Sequence, residues 1–335
     1  MKIAVLAPVA WRTPPRHYGP WEQIAWSTAE GLIDQGHDVT LFATGDSQTR
    51  AKLESVCAQG WEEDSSVDPK VAECLHIGHL MAQAAQFDLI HNHFDFHPLI
   101  FASVIATPIV TTIHGFSSPK ILAVYEKYNK NSHYISISNS DRNSRLEYLA
   151  TVYNGIETEQ FNFCPTPGEY LLFFGRIHPD KGTAEAIEIS KRSGRPLLIA
   201  GIIQDQKYFA EKIEPHLDNR QVTYLGPVGY DRRSELLGQA YALLHPINFA
   251  EPFGLSVVEA MCCGTPVIAF KRGAMSELIV HGKTGYLVQD VSEALDVLNQ
   301  VKQLDRKDCR EQVLKKFSRK QMVDGYLQAY QKILS

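Results

Sequence analysis

Short apolar runs alternate with amphipathic stretches along most of the chain. Residues 2–7 (KIAVLA) read as a buried strand, and 21–35 follow as a helix with Ile24, Ala25, Thr28, Leu32 and Ile33 on one side. Gly36 lies just past that helix, where a left-handed residue ends it, and 39–43 is the next strand. A helix at 74–85 and strands at 89–91, 109–113, 135–137 and 150–152 continue the pattern. Strands of four to six apolar residues set between helices describe a parallel sheet covered on both faces. Residues 44–67 are more polar and read as a surface excursion.

The alternation then restarts. Residues 161–169, with two prolines and a glycine, read as a linker. Strands follow at 170–174, 197–200, 222–225, 242–244, 267–270 and 286–288, the last entered through the turn GKTG at 282–285. Helices separate them at 183–193, 206–217, 232–239, 255–263 and 291–301, and from 307 onward the pattern is helix alone. The expected architecture is α/β, with two Rossmann-like domains at 1–160 and 161–315. Residues 316–335 form a C-terminal helix. In such domains ligands bind beyond the carboxyl ends of the strands, which places the binding loops at a central cleft.

Composition narrows the function. A chain of 335 residues exceeds what one core usually supports, in agreement with two domains. The formal net charge of -5 argues against a protein that wraps a nucleic-acid backbone and leaves room only for a local basic cleft. The first residues read as a strand rather than a leader, and no apolar run reaches the ~18 residues of a membrane span. Six cysteines without repeating spacing suit a reducing, cytoplasmic compartment. No strongly basic helix marks the first domain, which favours a small soluble or glycan acceptor over a lipid surface. A monomer or a homodimer fits equally.

The candidate chemistry centres on residues 248–270, NFAEPFGLSVVEAMCCGTPVIAF. A loop with Glu251, Pro252 and Gly254 runs into a helix whose unpaired first amides favour an anion. Glu259 lies further along that helix. Two carboxylates beside an amide-rich helix start suit a polyol on a diphosphate; two solvent-facing glutamates are the plain alternative. On either reading neither side chain belongs to the core, so an isosteric exchange leaves the fold intact. In the second domain the first strand ends in Phe174, Gly175 and Arg176, with Lys181 in the same loop. A guanidinium and an ammonium there could hold a diphosphate leaving group, or form a salt-bridged surface loop. The Walker pattern is absent.

In the first domain Tyr18, Gly19 and Pro20 occupy the loop where dinucleotide enzymes carry GxGxxG. One glycine and a proline argue against a nicotinamide site. His114, followed by Gly115 at a strand end, is placed for a ligand or for a structural hydrogen bond. His91, His93 and His97 with Asp88 and Asp95 invite a zinc reading, but spacing places no third ligand or supporting shell. No GxSxG occurs, and no Cys–His pair is set for nucleophilic attack. Phe87, Phe94, Phe96 and Phe101 read as core or cleft wall.

These residues together resemble the retaining, nucleotide-sugar-dependent glycosyltransferases of family 4, which have the GT-B fold. The stretch EPFGLSVVE, from Glu251 to Glu259, is similar to that family's E-x7-E motif. The segments FGR at 174–176, KG at 181–182, NGI at 154–156, IHG at 113–115 and GKTG at 282–285 fall in the family's order. Phe317 to Tyr330 resembles its final helix, which usually crosses back onto the first domain. The resemblance implies that Glu251 faces the donor sugar and Glu259 the ribose hydroxyls. Arg176 and Lys181 hold the diphosphate, and His114 meets the sugar or the acceptor side. Gly19, Gly175, Gly201 and Val228 line the donor site with Phe253, Gly254, Leu255 and Ser256. Where many members carry two glycines in the first loop, this chain has Gly19 and Pro20.

The implied activity is transfer of a hexose to a hydroxyl acceptor with no cofactor and no essential metal. Loops 201–203 and 226–228 offer no carboxylate to read guanine, so a UDP-hexose is the expected donor. GDP-mannose is the alternative, and an inactive nucleotide-sugar binding module the alternative of another class. A phosphorylase or epimerase would share the architecture.

Overall fold

The computed structural model describes residues 1–116 and 118–335. The chain forms two compact units, one of Met1–Gly155 with Arg319–Ser335 and one of Ile156–Ser318. The first is built on a seven-stranded parallel sheet: β1 (Lys2–Leu6), β2 (Asp38–Phe42), β3 (Lys52–Glu54), β4 (Leu89–Asn92), β5 (Ile109–Ile113), β6 (His133–Ser136) and β7 (Tyr148–Thr151). Their spatial order is β3-β2-β1-β4-β5-β6-β7. Ile3 stands opposite Val39 on one side and Leu89 on the other, and Ile3 to Leu6 are fully buried. That burial on both faces is why the strands read as unbroken apolar runs.

Helices α1 (Pro20–Asp34), α2 (Pro69–Met81) and α3 (Leu122–Lys127) cover this sheet. Helix α2 starts five residues before the expected 74, because Asp68 caps it, accepting from Val71 N at 3.0 Å, with Pro69 in its first turn. The polar segment 44–67 is not a free excursion. It contributes the edge strand β3, and it clasps the loop after β1. Trp61 N donates to Val9 O at 3.2 Å, Gln48 N to Thr13 O at 2.8 Å, and Arg12 N to Glu63 at 2.9 Å.

The second unit carries six parallel strands: β8 (Leu171–Phe174), β9 (Leu197–Ala200), β10 (Val222–Tyr224), β11 (Ala242–His245), β12 (Val267–Phe270) and β13 (Gly285–Val288). Their order is β10-β9-β8-β11-β12-β13, so each sheet reverses direction beside its own first strand. Helix α4 is Thr183–Ser193, and α5 is a single turn, Gln206–Tyr208. The expected helix 206–217 then loosens into a π segment, Phe209–Ile213, and a 3-10 turn, Glu214–His216, where Pro215 cannot donate to the helical ladder. Helices α6 (Tyr230–Gly238), α7 (Leu255–Cys262), α8 (Met275–Leu278), α9 (Val291–Leu298) and α10 (Arg306–Lys316) complete the unit.

The chain crosses between units at 155/156, earlier than the expected 160/161, and again at 318/319. The segment read as a linker is stitched into the second unit instead: Phe161 is buried, and Cys164 N donates to Cys263 O at 2.9 Å. Helix does not run unbroken from 307. It stops at Phe317, whose carbonyl accepts from Ile156 N at 2.9 Å, and resumes as α11 (Arg319–Leu334) within the first unit. There α11 buries Met322, Val323, Tyr326, Ala329 and Tyr330 and lies against α1.

Truncation after Ser318 removes five buried side chains from the first unit and none from the second. Hydrogen exchange on that truncated chain is expected to show lost protection across β1, β4 and β5, with β8, β11 and β12 still protected. Uniform protection in both units would contradict the account of α11.

Candidate active site

In the second unit the loops after β8 and β11 leave adjacent strand ends in opposite directions, the place where such sheets bind ligands. The first loop carries Gly175 and Arg176, then the turn Pro179–Lys181 and Gly182. Gly182 has φ 74, and a Cβ on it would stand 1.9 Å from Pro246 O, so only glycine lets this loop lie on the chain leaving β11. Asn248 N donates to Asp180 O at 2.6 Å and fixes the same contact. Lys181 Nζ is thereby brought onto Glu251 Oε2, and it lies 4.9 Å from the centre of the Phe249 ring.

Glu251 is held from behind as well. Its carbonyl accepts from Ala274 N at 2.9 Å, and His245 Nε2, at the end of β11, stands 3.6 Å from its carboxylate. Only 9% of Glu251 is exposed. Burial raises such a carboxyl, but His245 and the Lys181 ammonium outweigh it and hold Glu251 well below its ordinary value. Glu259, in α7, has a different cation: Arg233 Nη1 at 3.0 Å, with both side chains nearly buried. Burial here wins, and the Glu259 carboxyl lies above its ordinary value despite Arg233. The expectation that both glutamates lie outside the core is therefore corrected. Each is shut away from water with a cation that balances it.

Arg176 does not join either carboxylate. Its guanidinium bonds the Gln204 amide and forms no ion pair among the described residues. Gly201 has φ 149, and a Cβ there would lie 1.8 Å from Gly175 O, so the loops after β8 and β9 meet backbone to backbone. Val228 is half-buried in the loop after β10. Gly254 precedes α7, and no side chain among the described residues caps the helix, whose first residues Leu255 and Ser256 are half-buried. Phe253 is turned inward, edge-on to Phe317 with centroids 6.0 Å apart, so its side chain serves the core.

The first unit reverses its strand order between β1 and β4; Gly19, His93 and His114 follow or end strands on the carboxyl side, whereas Asp88 lies at the amino end of β4. Gly19 precedes α1, whose first turn carries Trp21 and the buried Glu22. His114, just after β5, stacks on Trp21 with centroids 5.6 Å apart and meets His93 Nδ1 through its Nε2 at 2.9 Å. His91 spends both ring nitrogens on protein partners: Tyr330 OH at 2.6 Å and Thr112 Oγ1 at 2.8 Å. Asp95 accepts from Tyr125 OH, and Asp88 from Lys2 N at 2.7 Å. The HxH segment is thus part of a hydrogen-bonded layer, and no metal-binding cluster of His, Cys, Asp and Glu occurs among the described residues.

Known proteins place this arrangement. The second half, residues 156–321, matches the family model of glycosyl transferases group 1, and residues 22–160 match that of glycosyltransferase family 4. The chain belongs to the GT-B glycosyltransferases of the family-4 kind. It is 25% identical to a glycogen synthase of Mycobacterium tuberculosis over 83% of this chain and 80% of that enzyme. Its fold matches sucrose-phosphate synthase from Thermosynechococcus elongatus at TM-score 0.80 and 18% identity, covering 99% of each chain. It also matches Anabaena HepE, solved in complex with UDP and glucose, at TM-score 0.75 and 20% identity, covering 99% of this chain and 100% of that one. No helix among the described residues is long and apolar enough to cross a membrane.

Three residues escaped the sequence reading. Arg233 sits in a charged helix beside Arg232, and nothing local marks it as the partner of Glu259. His245 ends a strand just as Ile113 does before His114, a signal that was available. Glu22 is one of several acids near a helix start, and its burial is tertiary.

Two predictions follow from these environments. Glu251→Gln leaves the Lys181 ammonium facing a neutral amide, and breaking a buried pair costs ~3 kcal/mol or more. Urea unfolding is expected to show that loss, and an unchanged midpoint would return Glu251 to the surface. Glu22 differs in sign. Burial pushes its carboxyl from 4.5 up to about 7, against the N–H of Trp11 at 3.3 Å. The folded protein holds this proton more tightly than the unfolded chain. Its contribution is therefore fully present below about 4.5 and lost as pH rises through about 7. Across that window Glu22→Gln should gain up to ~3 kcal/mol relative to the parent. Parallel stability–pH curves for the two proteins would refute the assignment.

Proposed function

We propose that the protein is a retaining hexosyltransferase that draws on a UDP-hexose, needs no essential metal, and delivers the sugar to a hydroxyl of a small soluble or glycan acceptor. The observation that carries this reading is the buried Lys181–Glu251 pair at the strand ends of the second unit. An arriving diphosphate finds the Lys181 ammonium, the Arg176 guanidinium and the uncapped start of α7, all of which stabilise charge growing on the leaving group. Glu251 then faces the donor sugar, where its carboxylate favours oxocarbenium character. Because Lys181 already holds that carboxylate, electrostatic work suits it better than nucleophilic attack. Retention is accounted for if the departing phosphate guides the acceptor to the face it leaves and takes its proton.

Glu259, fixed by Arg233, takes the ribose hydroxyls, and His114 meets the sugar. The UDP preference draws support from HepE, whose complex holds UDP and glucose. It also draws support from loops 201–203 and 226–228, which present no carboxylate to a guanine.

Calorimetry of UDP- and GDP-sugars, followed by transfer assays in chelator, tests donor, metal and turnover together. A UDP-hexose is expected to bind and turn over with chelator present. Preference for GDP-mannose would make the protein a mannosyltransferase, activity restored stoichiometrically by a divalent ion would end the metal-free reading, and binding without turnover would indicate an inactive nucleotide-sugar binding module.

Steady-state kinetics separate the two carboxylates. Glu259→Gln should chiefly raise the donor KM, since ribose contacts are alike in ground and transition states. Glu251→Gln should chiefly lower kcat. A charge-assisted hydrogen bond of ~1.5–3 kcal/mol corresponds to roughly 10- to 150-fold in either constant. Values within twofold of the parent in both variants would remove the site from this pair.

A further inference from the structure

We infer that His93 is a positioning residue for His114: it donates from Nδ1 to His114 Nε2, locks that ring as its Nδ1–H tautomer, and so makes His114 a hydrogen-bond donor to a sugar oxygen. The inference deepens the proposed role of His114 and rests on it.

The two nitrogens lie 2.9 Å apart, so one hydrogen stands between them. Burial pushes His114 down to about 3 and His93 well below its ordinary value, so both rings are neutral near pH 7. Two arrangements remain. Either His93 donates from Nδ1 and its Nε2 is bare, or His93 carries its hydrogen on Nε2 and accepts at Nδ1. His93 Nε2 is buried and has no hydrogen-bond partner among the described residues. A bare lone pair there is less costly than an N–H with no acceptor. His91 cannot serve that atom, since Tyr330 and Thr112 occupy both of its nitrogens, although the His91 and His93 rings lie 4.1 Å apart.

The first arrangement therefore holds, and His114 carries its hydrogen on Nδ1. Among the described residues that nitrogen has no hydrogen-bond partner, and His114 keeps 9% of its surface exposed. Trp21, stacked at 24° to the ring, restricts its rotation. A neutral N–H can orient a sugar hydroxyl without placing a positive charge beside a sugar that is itself becoming cationic, and with no lone pair at Nδ1 it cannot act as a base.

Asparagine, aspartate and leucine at position 93 test this in the full chain. An asparagine amide places an N–H near the Nδ1 position, whereas an aspartate offers only acceptors there. Long-range nitrogen–proton NMR, assigned with His114→Gln, reads the tautomer directly, and donor kinetics with thermal melts accompany it. The parent and His93→Asn are expected to show His114 as Nδ1–H with turnover within about threefold. His93→Asp should show Nε2–H or an imidazolium and lose about tenfold or more in kcat/KM, in line with one hydrogen bond misdirected. His93→Leu should fall between them.

An Nε2–H signal in the parent overturns the inference even if every variant at position 93 fails to fold, as do identical spectra for the asparagine and aspartate variants. If the spectra behave as expected while His114→Gln and His93→Asp both leave turnover unchanged, the tautomer lock stands and the sugar-contacting role of His114 falls.

Discussion

A carboxylate removed from water stays ionised only where a cation or several hydrogen-bond donors replace its hydration, and Glu251 imposes that demand on the second unit. Meeting it requires the loop after β8 to lie on the chain after β11. The local sequence supplies what that needs: Gly182 where a side chain would strike Pro246 O, and Asn248 N bonded to Asp180 O at 2.6 Å. Arg272 steadies the same chain through Ile247 O and Asn248 Oδ1, both at 2.7 Å. Once these backbone contacts exist, Lys181 has little freedom left to lose when it pairs. The ion pair is therefore a result of loop geometry as much as a cause of it. On the sheet side the His245 ring stands near the same carboxylate, its Nε2 at 3.6 Å and outside hydrogen-bond distance, so Lys181 carries the direct contact.

The first unit meets a similar demand without charge. Its strand ends bury His91, His93 and His114 as neutral rings, linked through Thr112 to Tyr326 at 3.3 Å and through His91 to Tyr330. Neutral donors and acceptors need only be matched, not compensated, and α11 supplies two of the matches from the far end of the sequence. This is a physical reason for the last helix to belong to the first unit. Without its tyrosines, His91 and Thr112 would be buried polar groups short of partners.

The sequence revealed what depends on short range. Residues 109–113, 183–193, 197–200 and 267–270 have their observed bounds because each is an apolar or amphipathic run closed by glycine, proline or a cap. The E-x7-E stretch and the FGR segment were legible through resemblance, which indicates which positions matter but not what each side chain touches. The pairing of Glu259 with Arg233 spans 26 residues, and that of Lys181 with Glu251 spans 70. Neither helix nor strand periodicity carries information at that range. The misread segments fail for related reasons. Strand β3 is three residues on an edge, too short for an alternation to show, and 206–217 has a helical pattern that Pro215 interrupts.

The two cations of the proposed diphosphate site are not equivalent, and their partners say why. Arg176 is bonded to a neutral amide, Gln204, so its full charge is available to attract a phosphate. Lys181 is already compensated by Glu251, so as a bare charge it contributes less. Its value lies in geometry. An ammonium has three N–H groups on one nitrogen, and it can keep one on Glu251 while turning another to a phosphate oxygen. A guanidinium at that position would spread its donors across a plane and match one bidentate partner better than two separate anions. On the proposed function, Arg176 thus sets how strongly the donor is drawn in, whereas Lys181 ties the position of the leaving group to that of Glu251. That coupling gives a buried lysine–carboxylate pair a use beyond stability, where by itself it would be worth little more than an apolar pair of the same shape.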